Sequence, residues 1–264
     1  MGSQKRTVYD VQQCKGKTQL LEVYVDNAIE ASAADEAGID MFTCVADERV
    51  PALREAAPNA FIQAGFGTGK LCSPEEGIRK GFAMLENGAD AIYFSGGLGI
   101  VEAMANQGIP VTGHVGLVPL LSTWTGYRAV GKTNEEAVKL FRHLKDLENA
   151  GAWATELEVV PSEIATYLTQ NTSLITEGMG SGPGCDTQYL FSCDILGTNT
   201  EHYPRHSKTY ADLRAEEERL HYLRVSAFKA FVDDVNSGGY PQPEHEISVE
   251  ISTLDEFISL VEHN

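Results

Sequence analysis

The chain has 264 residues, 42% of them hydrophobic and 22% charged, which is ordinary for a globular protein and fits one large α/β domain. Its formal net charge of −18 argues against a nucleic-acid partner, because nucleic-acid phosphates would be repelled. No stretch approaches the ~18 to 20 uninterrupted apolar residues that a membrane span needs. The sequence therefore predicts no membrane partner either.

The N-terminal segment, residues 1–18, is polar and carries several basic side chains. It lacks the apolar core of a signal peptide, so we expect a cytoplasmic protein. The five cysteines are odd in number and follow no CxxC or Cys/His ligand spacing. This arrangement predicts reduced thiols rather than a disulfide framework or a zinc site.

Eight short runs rich in β-branched and aromatic residues follow one another along the chain. They are Leu20 to Val25, Ile39 to Val45, Ala60 to Ala64, Ala91 to Phe94, Pro110 to Thr112, Trp153 to Val159, Ser173 to Thr176 and Tyr189 to Ser192. Most are separated by helix-patterned stretches with capping, proline or glycine residues at their ends. These stretches lie at 27–37, 73–87, 134–150 and from Pro161 onward. Between the last two runs, the sequence GMGSGPG at 178–184 predicts a glycine-rich loop and no helix.

Strands that alternate with helices indicate a parallel sheet whose faces are covered. Eight of them within roughly 250 residues predict an α/β fold of the (β/α)8 TIM barrel class with a C-terminal extension. An open doubly wound sheet is the alternative, but no GxGxxG follows the first strand.

The predicted domain organisation has four parts. We expect an N-terminal segment at 1–18, a barrel core at 19–206 and an appended tail at 246–264. Between the core and the tail, residues 207–245 comprise a long helix (207–236) and a closing segment. The tail contains an alternating segment at 247–251 and a short helix at 254–262.

Active sites of such barrels lie at the carboxyl ends of the strands, so the residues found there are the first candidates. Asp47 and Glu48 follow the second strand, Ser95 follows the fourth and His114 the fifth. The glycine-rich stretch 65–69 after the third strand lacks the full GxxxxGK[ST] pattern of a phosphate loop. A histidine in this place is as well suited to function as to a structural hydrogen bond.

The sixth strand carries the most informative candidate. Strand alternation directs Glu156 and Glu158 to one side and Leu157 and Val159 to the other. An ionised carboxylate inside a barrel is costly to bury without a partner. Burial also raises the pKa of a carboxyl group toward that of a useful general base. Glu158 is therefore predicted to be catalytic, whereas Glu156, one layer deeper, could equally belong to a structural polar network.

Five motifs in register resemble the ketopantoate hydroxymethyltransferase (3-methyl-2-oxobutanoate hydroxymethyltransferase) family, within the phosphoenolpyruvate mutase/isocitrate lyase superfamily. The motifs are GIPVTGHVGLVP at 108–119, GYR at 126–128 with Gly131-Lys132, LEVVP at 157–161, GSGPGCD at 180–186, and SGGYP at 237–241 with Glu244-His245. They occur in the order of the family, and the resemblance as a whole covers roughly Gln19 to His245.

The resemblance implies a (β/α)8 barrel that transfers a one-carbon unit from methylenetetrahydrofolate to a small-molecule 2-oxo acid held by Mg²⁺. It places the family's general base, which deprotonates the carbon next to the ketone, on Glu158. A substrate-binding histidine of the family falls on His114, and we expect Ser95, Asp47 and Tyr93 to contribute to substrate binding as well. The resemblance also implies a role in pantothenate biosynthesis and a homo-oligomer.

The sequence departs from the family pattern at the expected metal site. The two metal-binding aspartates of the family fall on Ala46 and Gly65, so Asp47 and Glu48 are the remaining candidates for metal ligands. The family's Lys-x-Glu-Gly-Gly motif reads Tyr93-Phe94-Ser95-Gly96-Gly97 here.

These departures leave three hypotheses open. The first is a hydroxymethyltransferase with a rebuilt metal shell. The second is a divergent C–C lyase or retro-aldolase of the same superfamily that acts on a small oxo or hydroxy acid. The third is a non-catalytic paralogue that binds a small acid, in which Glu158→Gln would change nothing except stability.

Overall fold

The computed structural model describes residues 5–67 and 69–262, and eight parallel strands form its centre. They are β1 (Leu20–Tyr24), β2 (Met41–Val45), β3 (Phe61–Phe66), β4 (Ala91–Phe94), β5 (Val111–Gly116), β6 (Ala154–Glu158), β7 (Ile175–Met179) and β8 (Thr187–Phe191). Each strand pairs with the next and β8 pairs with β1, which closes the barrel. The predicted (β/α)8 barrel is confirmed.

Helices follow most strands. In chain order they are α1 (Val8–Gln13), α2 (Ala28–Ala37), α3 (Val50–Ala56), α4 (Pro74–Glu86), α5 (Leu98–Asn106), α6 (Ser122–Thr125), α7 (Asn134–Asn149), α8 (Ser162–Gln170), α9 (Ser192–Leu196), α10 (Leu213–Ser237) and α11 (Ile251–Glu262). Asn27, Ser73 and Thr133 cap α2, α4 and α7, each accepting hydrogen bonds from backbone N–H groups of the first turn. Within the described residues, none of the helices has both the length and the apolar character required to cross a membrane.

Several predicted boundaries differ from the structure. Strand β5 continues to Gly116, so His114 lies within the strand and not after it. The long helix begins at Leu213 rather than at residue 207, because Asp212 caps it by accepting the Ala215 N–H. The alternating segment at 247–251 is not a strand: residues 246–250 are irregular and α11 begins at Ile251. The glycine-rich loop between β7 and β8 contains no helix, as predicted.

The chain divides into two compact units between Ala211 and Asp212. The first contains the entire barrel with α1 to α9. The second contains α10, a short 3₁₀ helix (Pro243–His245) and α11. Many apolar side chains of this second unit are exposed, Ile247 and Phe228 among them.

The barrel interior is layered, because alternate residues of each strand point inward. The bottom layer is apolar: Leu20, Met41, Phe61, Ala91, Ala154 and Ile175 form one buried cluster, closed from below by Val11 of α1. The opposite faces of the strands pack against the surrounding helices in a second, larger apolar cluster. The barrel is therefore filled by apolar side chains at the N-terminal ends of its strands, and the surrounding helices pack against its outer face.

Above the apolar layer lies a polar layer contributed by the odd-numbered strands. Gln63 donates hydrogen bonds from Nε2 to Oε1 of Glu22 (3.1 Å) and to Oε1 of Glu177 (2.9 Å), and its carbonyl oxygen accepts one from Thr112. All four side chains are buried. Removal from water raises the pKa of Glu22 to about 7, even though hydrogen bonds from Thr43 act in the opposite direction. The pKa of Glu177 is raised by the same burial and by neighbouring Glu22.

Because these carboxyl groups are buried with raised pKa values, we predict that the free energy of unfolding decreases as pH rises. The pKa of Glu22 is 4.5 when unfolded and about 7 when folded, so the folded state binds more protons between these values and the free energy of unfolding falls. Glu22→Gln mimics the protonated carboxyl. We expect it to reduce the difference in unfolding free energy between pH 5 and pH 8 by about 3 kcal/mol, measured by urea denaturation. The exposed Glu36→Gln should keep the wild-type pH dependence, and an equal loss in the Glu22 variant would contradict the assignment.

Candidate active site

A cavity of about 900 Å³ opens at the carboxyl ends of the strands. Its floor and walls include strand residues such as Thr43, Tyr93, Glu156, Glu158 and Tyr189. The opposite end of the barrel is filled by the apolar layer, so in the described part of the chain the polar groups of the upper interior face this opening. Concave sites with a few convergent polar groups are where small ligands usually bind.

Three side chains converge on one histidine at the floor of this cavity. The hydroxyl oxygen of Tyr93 lies 2.6 Å from Nδ1 of His114. Oε2 of Glu156 lies 3.5 Å from the same nitrogen, and Oε2 of Glu158 lies 3.5 Å from Nε2. Strand register explains the convergence, since His114 pairs with Glu156 on β6, and Gly65 on β3 pairs with Tyr93 on β4.

Both nitrogens of His114 are engaged. Nε2 lies 2.8 Å from the carbonyl oxygen of Leu117, which can only accept, so Nε2 carries a proton. Nδ1 is hydrogen-bonded to the Tyr93 hydroxyl, in either direction according to whether the imidazole is neutral or cationic. The ring is therefore fixed at both ends.

The electrostatics of the site follow from burial and from like charges. Removal from water and the charge of Glu156 raise the pKa of Glu158, His114 lowers it, and the net result is a pKa of about 8. Burial by itself lowers the pKa of His114, but the adjacent carboxyl groups of Glu156 and Glu158 outweigh it and leave that pKa raised. Burial also raises the pKa of Tyr93 well above its usual value, so the phenol keeps its proton.

The backbone around Glu158 is held in an unusual conformation. Val159 has a φ of 51°, which is rare for a β-branched residue and marks local strain. Ser181 fixes the segment, because its Oγ accepts the N–H of Val160 (3.0 Å) and donates to the carbonyl of Leu157 (2.7 Å). On the other side, Gly116 allows close approach, since a Cβ there would lie 2.2 Å from the carbonyl oxygen of Glu158. These contacts fix the backbone conformation at the end of β6 and therefore the direction of the Glu158 side chain.

The structure brings some of the predicted site residues together and leaves others apart. Glu158, Tyr93 and His114 form the cluster described above. Asp47 is clamped by Arg49, whose Nε and Nη2 lie 3.0 and 2.8 Å from its carboxylate oxygens, and this ion pair lowers the pKa of Asp47. Asp47 lines a smaller depression after β2 and β3, which shares Val45, Gly65 and Gly67 with the main cavity.

The remaining two predicted residues lie outside the main cavity. Glu48 is exposed, and Ser95 is partly buried in the turn after β4. Neither is among the described residues that line the cavity. The glycine-rich stretch 65–69 contributes Gly65 and Gly67 to the lining, while Thr68 lies outside the described residues.

The residues present do not form the Mg²⁺ site that the family resemblance implies. By the family resemblance the ligand positions fall on Ala46 and Gly65, which offer no side-chain oxygen. At Gly65 a Cβ would lie only 3.3 Å from Cδ1 of Tyr93 and 3.3 Å from the carbonyl oxygen of Cys44, so a side chain at this position would require the tyrosine ring to shift by a few tenths of an ångström.

The central cluster is also a poor metal site. His114, Glu156 and Glu158 have potential ligand atoms within 4.8 Å of one another. A neutral imidazole binds a metal through a free nitrogen lone pair, however, and both nitrogens of His114 are already hydrogen-bonded. Only the two carboxylates of this cluster then remain as ligands.

The structure adds site residues that the sequence did not single out. Lys132, Arg205 and His206 line the cavity from loops that follow β5 and β8. Burial lowers the pKa of His206, which favours its neutral form. Tyr189 is buried at the floor, where burial raises its pKa. The basic residues could have been noticed as an exception in an acidic chain, but nothing local indicated that they face the barrel.

A closed (β/α)8 barrel with ionisable side chains at the carboxyl ends of its strands is the architecture of a barrel enzyme. The family model for ketopantoate hydroxymethyltransferase matches residues 48–243. The 3-methyl-2-oxobutanoate hydroxymethyltransferase of Kosmotoga olearia is 36% identical over 88% of this chain and 93% of its own length. The enzyme of the same name from Thermotoga maritima is 33% identical over 91% of this chain and 96% of its own. The chain belongs to the ketopantoate hydroxymethyltransferase family, as the sequence motifs indicated.

Solved structures share the fold at low identity. A 2,3-dimethylmalate lyase of the PEP mutase/isocitrate lyase superfamily aligns with a TM-score of 0.50 and 14% identity, over 98% of this chain and 99% of its own. The carboxyl transferase domain of Rhizobium etli pyruvate carboxylase aligns with a TM-score of 0.53 and 13% identity, over 73% of this chain and 44% of that chain. At these identities the likeness concerns the barrel alone.

The backbone support of Glu158 can be tested through Ser181. Ser181→Ala removes the acceptor of the buried Val160 N–H, and an unpaired buried donor costs about 1–3 kcal/mol. We expect a loss of unfolding free energy of about 2 kcal/mol together with a lower kcat, because the turn that orients Glu158 loosens. Chemical denaturation and steady-state kinetics measure the two effects. Ser32→Ala, on the exposed face of α2, should change neither, and an unaltered Ser181 variant would show that the turn is held by other contacts.

Proposed function

We propose that this chain catalyses the hydroxymethylation of 3-methyl-2-oxobutanoate, with Glu158 as the general base. The observation that carries the proposal is the position of Glu158: a largely buried carboxyl group with a raised pKa at the floor of the barrel cavity, supported by a strained turn. Membership of the ketopantoate hydroxymethyltransferase family supplies the substrate class.

In the proposed reaction the Glu158 carboxylate removes the proton from the carbon next to the ketone. The electron pair moves toward the ketone oxygen, giving an enolate. The enolate carbon then forms a C–C bond to the methylene carbon of methylenetetrahydrofolate as the first of its two C–N bonds breaks, and the ketone is restored. Water displaces the second nitrogen and leaves its hydroxyl group on the product. The proton taken by Glu158 and the second proton of the water pass to the two folate nitrogens, which gives tetrahydrofolate. No step is routed through Mg²⁺, because the described residues offer no suitable ligand set for it.

Other residues of the cavity have supporting roles in this proposal. His114 stands beside Glu158 and holds the floor of the site together through its two hydrogen bonds. Lys132 and Arg205 provide positive charge at the cavity wall, which suits the carboxylate of a 2-oxo acid. We also propose a homo-oligomer, and the exposed apolar side chains of the second compact unit are consistent with an assembly.

The base is tested by Glu158→Gln. The amide is nearly isosteric but cannot accept the proton, so we expect a loss of at least ~100-fold in kcat with unchanged folding. Two assays are needed: product formation with methylenetetrahydrofolate, and exchange of the proton next to the ketone for deuterium in D₂O, followed by NMR. The exposed Glu163→Gln serves as the matched control. A Glu158 variant that retains more than about a tenth of wild-type kcat would refute the role.

The pH dependence gives an independent test. Only the deprotonated carboxylate can act as base, so kcat/KM should rise with pH until the pKa of Glu158, about 8, is passed. Glu156→Gln removes a negative charge that raises this pKa, so the inflection should move to lower pH. Glu36→Gln should leave the profile unchanged. A Glu156 variant with an unmoved or higher inflection would contradict the electrostatic account.

A further inference from the structure

The enolate formed in the proposed reaction requires a group that stabilises charge on the ketone oxygen. In the family resemblance Mg²⁺ does this, yet Gly65 and Ala46 stand where its ligands would be. The ring of Tyr93 packs against Gly65, with Cδ1 3.3 Å from where a Cβ would lie. The side chain that packs against this position also extends its hydroxyl to the floor of the cavity.

We propose that Tyr93 is a further catalytic residue, a hydrogen-bond donor to the ketone oxygen that replaces the metal ion, with the imidazolium of His114 as the positive charge behind it. This inference rests on the proposed function and names the electrophilic half of its mechanism. Tyr93 lines the cavity, and its hydroxyl is 2.6 Å from Nδ1 of His114.

The hydrogen-bond directions are consistent with this role. Nε2 of His114 is committed to the carbonyl of Leu117 as a donor. When Nδ1 is also protonated, it must donate to the Tyr93 oxygen, which leaves the phenol proton available for another acceptor. The two carboxyl groups beside the ring favour the cationic imidazole, and burial keeps the phenol protonated.

The arrangement also fits the two reacting atoms of a 2-oxo acid. Tyr93 and Glu158 approach opposite nitrogens of the same imidazole ring. A ketone oxygen and the carbon next to it are separated by two bonds, so a substrate lying over the ring would present its oxygen to one group and its C–H to the other. Glu158 takes the proton, the phenol donates a hydrogen bond to the developing oxyanion, and no proton leaves Tyr93 or His114.

Preorganised donors of this kind act most strongly where water is excluded. Glu156, 3.5 Å from Nδ1 of His114, balances the imidazolium charge and competes for the phenol proton until substrate binds. The donor is thus held in place by groups of three neighbouring strands, β4, β5 and β6.

The experiment measures deuterium exchange at the carbon next to the ketone of 3-methyl-2-oxobutanoate, without folate, using full-length protein freed of metal by chelation and checked by elemental analysis. We expect the metal-free wild type to exchange at the rate of the untreated protein, with added Mg²⁺ without effect. Tyr93→Phe should lose about 100-fold in exchange rate, and its affinity for oxalate, a planar mimic of the enolate, should fall in calorimetry. The exposed Tyr167→Phe is the matched control.

The possible outcomes distinguish a failure of the role of Tyr93 from a failure of the proposed function on which that role rests. Exchange that disappears on chelation and returns with Mg²⁺ overturns the role of Tyr93 and leaves Glu158 as base. A Tyr93 variant with wild-type exchange and oxalate affinity overturns it as well. If the wild type neither exchanges the proton nor forms product under any condition, the proposed function itself fails. Circular dichroism and the denaturation midpoint verify that the Tyr93 variant is folded.

Discussion

The arrangement of this protein depends on the burial of carboxyl groups inside a closed sheet. Glu22, Glu156, Glu158 and Glu177 all lie in the barrel interior, where ionisation is costly. Each must share a proton, accept hydrogen bonds or face a cation. Glu22 and Glu177, in the lower layer, accept hydrogen bonds from Gln63, and Glu22 also accepts them from threonines of neighbouring strands. Glu156 and Glu158, in the upper layer, face His114. The same cost that makes the lower layer sensitive to pH gives the upper layer a carboxyl group that can take up a proton near neutral pH.

The sequence predicted the barrel well, because its signals are local. Strand-forming runs, capping residues such as Ser73 and the helix-free loop between the last two strands all depend on neighbours along the chain. Alternation along β6 likewise predicted that Glu156 and Glu158 share a side. The boundary at Gly116 was missed because the residues 113–116 are ambiguous alone and become strand only by pairing with β6.

The site was predictable only in part, since its geometry is set by contacts between distant strands. The ion pair of Asp47 with Arg49 is local, but the sequence does not show which of its neighbours a carboxylate contacts. The hydrogen bond from Tyr93 to His114 joins β4 to β5, and the exclusion of a side chain at Gly65 depends on β3 and β4 together. Gly65 and Tyr93 are therefore packed closely together: a side chain restored at position 65 would require the tyrosine ring to shift by a few tenths of an ångström.

The apolar layer at the base of the barrel bears on the order in which ligands bind and leave. Among the described residues, Val11 of α1 and the six side chains above it fill that end, and the cavity opens at the opposite mouth. Two ligands that share one entrance and bind at different depths cannot exchange places. Under the proposed function the smaller acid contacts the floor and the larger one-carbon donor covers it, so we expect the acid to bind first and its product to leave after the spent donor. The filled barrel end would then set the order of binding and release.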